Sequence, residues 1–275
     1  GIDMNINYFI WDDLDEKTKH RLIRRVHGDA FSIFERIQPI IGDIRFNGDA
    51  ALVTYALKHN KAEITKDQIQ VSEDEFAAAR HLLDEDVMKA IIECAGNVRA
   101  FHQEQLQHIE KEWMAEISPG ILAGEKLTPI ASVGIYVPSG THNYPSNTYM
   151  LAMPAIMAGV SDVIIVTPPR PDGSVDPAVL FAAEYCGVKK VYKASGAQAI
   201  AAMAYGTKTI PKVDKVVGQL GPFGTAAKLM LGNIIDSGAP CGSNEVGILC
   251  DHAADRHNLL LDLICELEHG ADSSG

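Results

Sequence analysis

The residues best equipped for chemistry are a carboxylate and an imidazole. Glu266 and His269 stand at i and i+3 of an expected helix over 252–269, so both side chains leave one face of it. Oxygen and nitrogen ligands so placed suit a divalent metal such as zinc. Two ligands do not close a zinc site, and one or two more must come from elsewhere; the same spacing also fits a plain surface pair. Gln198 opens the helix in SGAQAIAAMAYG directly after a strand. There its amide either meets a ligand at the carboxyl edge of a sheet or simply begins the helix. Tyr136 ends an earlier strand just before Pro138 and, taken alone, reads as an aromatic packed on that sheet. Asp214 falls inside a strand segment and reads as a structurally paired charge.

These residues need elements to hold them. Apolar runs at 130–137, 162–166, 189–194, 212–218 and 245–250 predict strands. Ala-rich helical stretches lie between them, near 147–159, 176–186, 197–205 and 223–231. Strands alternating with helices form a βαβ series, whose right-handed crossovers give a parallel sheet covered on both faces. Strand ends run into Pro138-Ser139-Gly140, Pro168-Pro169, Ser195-Gly196 and Gly218. Ligands of open α/β sheets sit at such carboxyl ends. The first 118 residues are more charged and helical in pattern, with segments at 14–26, 30–41 and 49–59. A long amphipathic helix opens at Asp84, with Val87, Ile91, Cys94, Val98 and Phe101 on one stripe.

Composition narrows the function. The 275 residues carry 24 basic and 36 acidic side chains, a net charge of −12, and 47% are hydrophobic. A chain this acidic is unsuited to general binding of nucleic-acid phosphates or of anionic membranes. The longest apolar stretch, from Tyr149, is about 12 residues, against roughly 20 for a membrane span. Five scattered cysteines without CxxC spacing read as reduced thiols. The expected setting is the cytoplasm. No strand is followed by GxGxxG, and GxxxxGK[ST], HExxH and GxSxG are absent. Any dinucleotide site must be assembled from scattered loop contacts.

Several long segments in order, PIASVGIYVPSG, LAMPAIMAGVSDVIIVTPP, SGAQAIAAMAYGTKTIPKVDKVVG and ELEHGADS, together with IIGDIRFNGDAAL and AIIECAGNVRAFHQEQ, resemble the histidinol dehydrogenases from about residue 40 to 273. The resemblance implies an α/β fold: an incomplete Rossmann-like parallel sheet domain with helices on both faces, preceded by an N-terminal helical region. Residues 1–128 hold that helical region and the start of the first domain. Residues 129–244 form the Rossmann-like domain, and 245–275 return to the first domain with the zinc-site helix. It implies a zinc-dependent homodimer that oxidises L-histidinol to L-histidine through the aldehyde with NAD. Tyr136 and Gln198 match the family's NAD-contacting tyrosine and glutamine, and Glu266 and His269 match two zinc-ligand positions.

The chain departs from the family pattern where ligands would lie. The first zinc ligand, a glutamine in the family, is Glu266. The family's GPGN turn, whose asparagine contacts NAD, reads GQLG at 218–221; its GPSE reads GSNE at 242–245, with Asn244 in place of serine. A glycine pair after the first strand reads Pro138-Ser139-Gly140. The family's catalytic Glu-His pair lies beyond the HGADS segment, so no residue is assigned as the proton-transfer base. The changes favour two alternatives to histidinol oxidation: a relative acting on a different polar alcohol, or a shortened, non-catalytic binding module.

Overall fold

The computed structural model describes residues 9–24, 30–139, 144–238 and 245–267, with Ser273 and Gly275. They fall into two compact units. One is built from 33–242, and the other from 1–32 with 243–275.

Helix α1 (Glu16–Arg24) belongs to the smaller unit, and the larger unit opens with helices α2 to α5, at Ala30–Asn47, Asp49–Tyr55, Glu73–His81 and Glu85–Gln107. Local chemistry sets their ends. Ser72 caps α4 by accepting the Glu75 N–H at 3.2 Å, and Glu75 Oε2 accepts the Ser72 N–H at 3.0 Å. Helix α3 runs into a π turn over Ala56–Asn60 that closes at Lys61, whose φ of 60° is left-handed.

Strands β1 (Glu112–Ser118) and β2 (Ile121–Lys126) then pair as an antiparallel hairpin. The sequence reading placed no strands there. The turn at Pro119-Gly120, with Gly120 at φ 81°, is the signal that marks it. Acidic residues in both strands gave the segment the texture of the charged helices before it. Every residue of the hairpin is exposed.

The rest of this unit is the parallel sheet. β3 (Ser132–Tyr136), α6 (Pro145–Met157), β4 (Asp162–Thr167), α7 (Pro177–Tyr185), β5 (Val191–Lys193), α8 (Gly196–Tyr205), β6 (Lys215–Val217) and α9 (Pro222–Met230) follow in turn. The strand order is β5-β4-β3-β6, all parallel. The alternation of side chains explains the two covered faces. Tyr136, Ile164, Val166 and Val216 pack with α2, α3, α8 and α9. Ile135, Ile165 and Val191 pack with α4, α6 and α7, together with Ala95 of α5. Both faces are apolar, so the strands read as continuous hydrophobic runs. The α/β fold, with a parallel sheet flanked by helices and a helical N-terminal region, is the one expected.

Two expectations need correction. The strand predicted at 245–250 does not form: residues 246–250 have no strand pairing among the described residues, and Leu249 is fully exposed. An apolar run becomes a strand only when a neighbour takes its backbone hydrogen bonds. The stripe on α5 is also only partly buried. Ile91 and Ala95 are covered, whereas Phe101 is 66% exposed and Cys94 lies on the surface. At 1.5 Å per residue, the 23-residue α5 is roughly 34 Å long and outruns the 13-residue α6 beside it. In the smaller unit, α10 covers Arg256–Leu267. No helix among the described residues is long and apolar enough to cross a membrane.

Candidate functional site at the carboxyl edge of the sheet

The chain leaves β3 toward β4 on one side, and β6 returns on the other, so the order reverses between β3 and β6. Ligand crevices of open α/β sheets form at such a reversal, outside the carboxyl ends of the strands. Tyr136 and Gly218 flank it. Gly218, one residue past β6, has φ 121°, and a Cβ there would fall 2.1 Å from the Tyr136 carbonyl oxygen. Only glycine lets the two strand ends approach this closely.

Tyr136 is 5% exposed and turns its ring toward α8. The Gly196 N–H donates to its hydroxyl oxygen at 3.1 Å. Burial pushes the phenol above its ordinary range, and the Gly196 N–H pulls the other way. The group is therefore a neutral hydroxyl at ordinary pH, with its own hydrogen left to donate. Gly196 opens α8 at φ 52°. Gln198, two residues on, is 5% exposed, and its side chain makes no hydrogen bond to the described residues. Its Oε1 lies 3.3 Å from where a Cβ on Gly196 would stand, so the amide is turned back over the first turn of the helix. Tyr136 and Gln198, 62 positions apart, thus meet at Gly196.

The sequence places Ser195 at a strand end without giving it a role, and nothing in it points to Asn60. Ser195 precedes α8, and its hydroxyl donates to Asn60 Oδ1 at 2.9 Å. The legible signal was Ser195-x-x-Gln198, the pattern of a capping box; nothing local announced Asn60. Asp214 holds the opposite edge of the sheet together. Its Oδ2 accepts the Ser132 N–H and hydroxyl, each at 2.9 Å, and its own N–H donates to Ser132 Oγ at 2.9 Å. It is the structurally paired charge expected.

The proposed metal ligands are placed less fully. Glu266 sits on α10 in the smaller unit and is half-buried. His269 lies outside the described residues, as do Gly140 and Asn244. No group of three His, Cys, Asp or Glu side chains that could hold a metal ion occurs among the described residues. Away from the cluster, a cleft of about 350 Å³ is lined by Glu63, Asp67, Glu75, Asp172 and Lys193. The buried Lys193 Nζ pairs there with Glu75 Oε1 at 2.6 Å.

The sequence profile described as histidinol dehydrogenase matches residues 23–275. A histidinol dehydrogenase homolog from Colwellia psychrerythraea is 45% identical over 262 residues, covering 95% of this chain and 58% of that protein. A histidinol dehydrogenase from Methanosarcina barkeri is 41% identical over 261 residues, covering 95% and 59%. The crystal structure of histidinol dehydrogenase from Elizabethkingia anophelis superposes with a TM-score of 0.84 at 35% identity, covering 94% of this chain and 59% of that one. The chain thus spans about three-fifths of the length of these relatives. Profile, sequence and fold agree, and the chain belongs to the histidinol dehydrogenase family.

Proposed function

We propose that the protein is an NAD-dependent oxidoreductase that converts L-histidinol to L-histidine through the aldehyde, in histidine biosynthesis. The observation that carries the cofactor assignment is that the Tyr136 hydroxyl and the amide of Gln198, a residue only 5% exposed, both approach Gly196 at the strand-order reversal. NAD, when bound, supplies the acceptor for the hydride leaving the alcohol carbon. The chain's own part is to bind and orient. Tyr136 fixes Gly196 and offers a hydroxyl hydrogen, Gln198 offers an amide, and Gly218 keeps the crevice narrow at its strand end.

Zinc enters this reading through Glu266 and His269, two ligands of the three or four that such a site takes. The described residues do not by themselves make a zinc site, so no step is routed through the metal. The whole protein is taken as a cytoplasmic homodimer acting on a small-molecule alcohol.

A second reading keeps the chemistry and changes the alcohol. Four of the relatives, 42–45% identical, are titled only as homologs. The departures of this chain, Glu266 and the GQLG turn, also fall at ligand-side positions. Both readings are tested by following NADH absorbance with zinc, NAD and a panel of amino alcohols that includes histidinol, using the product of the complete gene. Turnover of histidinol above the rest of the panel supports the first reading, and preference for another alcohol supports the second. An absence of NADH formation throughout refutes both.

A further inference from the structure

Three segments carry Ser or Thr three residues ahead of Glu or Gln at a helix start: Thr65 with Gln68, Ser72 with Glu75, and Ser195 with Gln198. In the first two the side chains close on their own turn. Gln68 Oε1 accepts the Thr65 N–H at 2.8 Å, and Ser72 and Glu75 exchange both bonds of the box. The third stays open. Ser195 has the extended backbone of a cap, φ −126° and ψ 154°, but its side chain accepts no N–H from α8. Its hydroxyl is turned to Asn60 Oδ1, 2.9 Å away and 135 positions earlier in the chain.

The open turn has two further properties. The N–H groups of Ala197 and Gln198 make no hydrogen bond to described residues. The Gln198 side chain, 5% exposed and equally unpartnered, is turned back over them. Asn60, for its part, is aimed by an unusual backbone. It ends the π turn over Ala56–Asn60, and the next residue, Lys61, is the one non-glycine residue with positive φ among those described. Such turns and left-handed residues persist where the surrounding structure holds them, and they gather at functional sites.

We propose that Asn60 is a positioning residue for the dinucleotide. By holding the Ser195 hydroxyl off α8, it keeps the N–H groups of Ala197 and Gln198 and the Gln198 amide open for acceptor oxygens of that ligand. The identity of the ligand rests on the NAD reading given above, whereas the competition between Asn60 and the helix does not. Without Asn60, the Ser195 hydroxyl falls back on the Gln198 N–H, the box closes, and the site is occupied by the protein's own side chain.

The test compares the parent chain with Asn60→Ala and with Asn60→Ala/Ser195→Ala. Calorimetry reads NAD affinity, amide hydrogen exchange reads the Gln198 N–H, and thermal melts verify that each variant is folded. In Asn60→Ala the Gln198 amide is expected to exchange about five-fold more slowly and NAD affinity to fall about five-fold, the shift given by a capping bond of ordinary strength. In the double variant no hydroxyl remains to cap, and both quantities return to within about twofold of the parent. Asn60→Asp retains the acceptor and leaves exchange at the parent rate. Unchanged exchange and affinity in Asn60→Ala, or a double variant that stays as slow and weak as the single one, overturns the proposal. If the parent binds no NAD, the cofactor reading falls, and the exchange arm alone decides the role of Asn60.

Discussion

Tyr136→Phe removes one oxygen atom from the centre of the site and little else. The ring stays packed between the sheet and α8, so no sizeable cavity opens. The loss is the acceptor, at 3.1 Å, for the Gly196 N–H, in surroundings where Tyr136 is 5% exposed. A neutral hydrogen bond contributes about 1 kcal/mol net, and a buried donor left unmade costs about 1–3 kcal/mol. The expected fall in unfolding free energy at pH 7 is therefore about 1–2 kcal/mol. With a urea slope near 3 kcal/mol/M, the midpoint drops by about 0.5 M. The pH dependence supplies an independent check. Burial raises the Tyr136 phenol above its ordinary 10.0. The native state thus holds this proton more tightly than the unfolded chain does. Below pH 10 both states are protonated, and the contribution is fully present. As pH climbs through the raised native value, the parent loses it. The phenylalanine variant has no such proton to lose, so the stability gap between the two proteins narrows above pH 10. Urea unfolding followed by circular dichroism at pH 7, 9 and 10.5 measures both effects. A variant as stable as the parent at pH 7, or a gap that widens with pH, refutes the reasoning.

Other perturbations follow from the same geometry. Glu75→Ala strips the partner from the buried Lys193 and breaks the α4 capping box, so a loss of about 3–5 kcal/mol is expected in urea unfolding; adding Lys193→Met recovers most of it. Burial pushes the Cys186 thiol up to about 11, against the pull of Arg99. At pH 8 roughly one molecule in a thousand carries the thiolate there, so iodoacetamide is expected to label the exposed Cys94 and Cys250 and to spare Cys186 until urea unfolds the chain, as read by peptide mass spectrometry. Glu266→Ala and His269→Ala are each expected to lower zinc content while stability stays within about 1 kcal/mol; equal zinc in variant and parent refutes the ligand assignment.

The sheet was legible because its signal is local. Residues 163–166 and 216–217 are apolar on successive positions, as strands covered on both faces must be, and they form the centre of β4 and the end of β6. The hairpin of β1 and β2 was overlooked because its residues bury nothing, so no hydrophobic alternation rises above the charge. The strand expected at 245–250 failed for the converse reason: the apolar residues are there, but a ladder partner is a property of the whole fold. Tyr136 and Gln198 were singled out by position at strand and helix ends, which periodicity fixes to within a residue or two. That they share Gly196 was not legible, since it depends on α8 crossing beneath β3.

The capping pattern shows where local reading ends. Ser72 and Ser195 present the same chemistry to the same kind of backbone, and each has an acceptor or amide side chain three residues on. Yet one closes its helix and the other does not. A cap and a tertiary hydrogen bond are of similar strength, about 1 kcal/mol each, so neither motif nor propensity decides between them. A hydroxyl can donate and accept at once, as Ser72 does, so what decides is whether an acceptor already held in place elsewhere in the fold, with its ordering entropy spent, turns the hydroxyl away from the helix. At Ser195 the π turn before Lys61 places Asn60 to do this. No competing bond draws off Ser72, and its box closes. The polar groups left open at α8 are thus a consequence of backbone geometry 135 positions away.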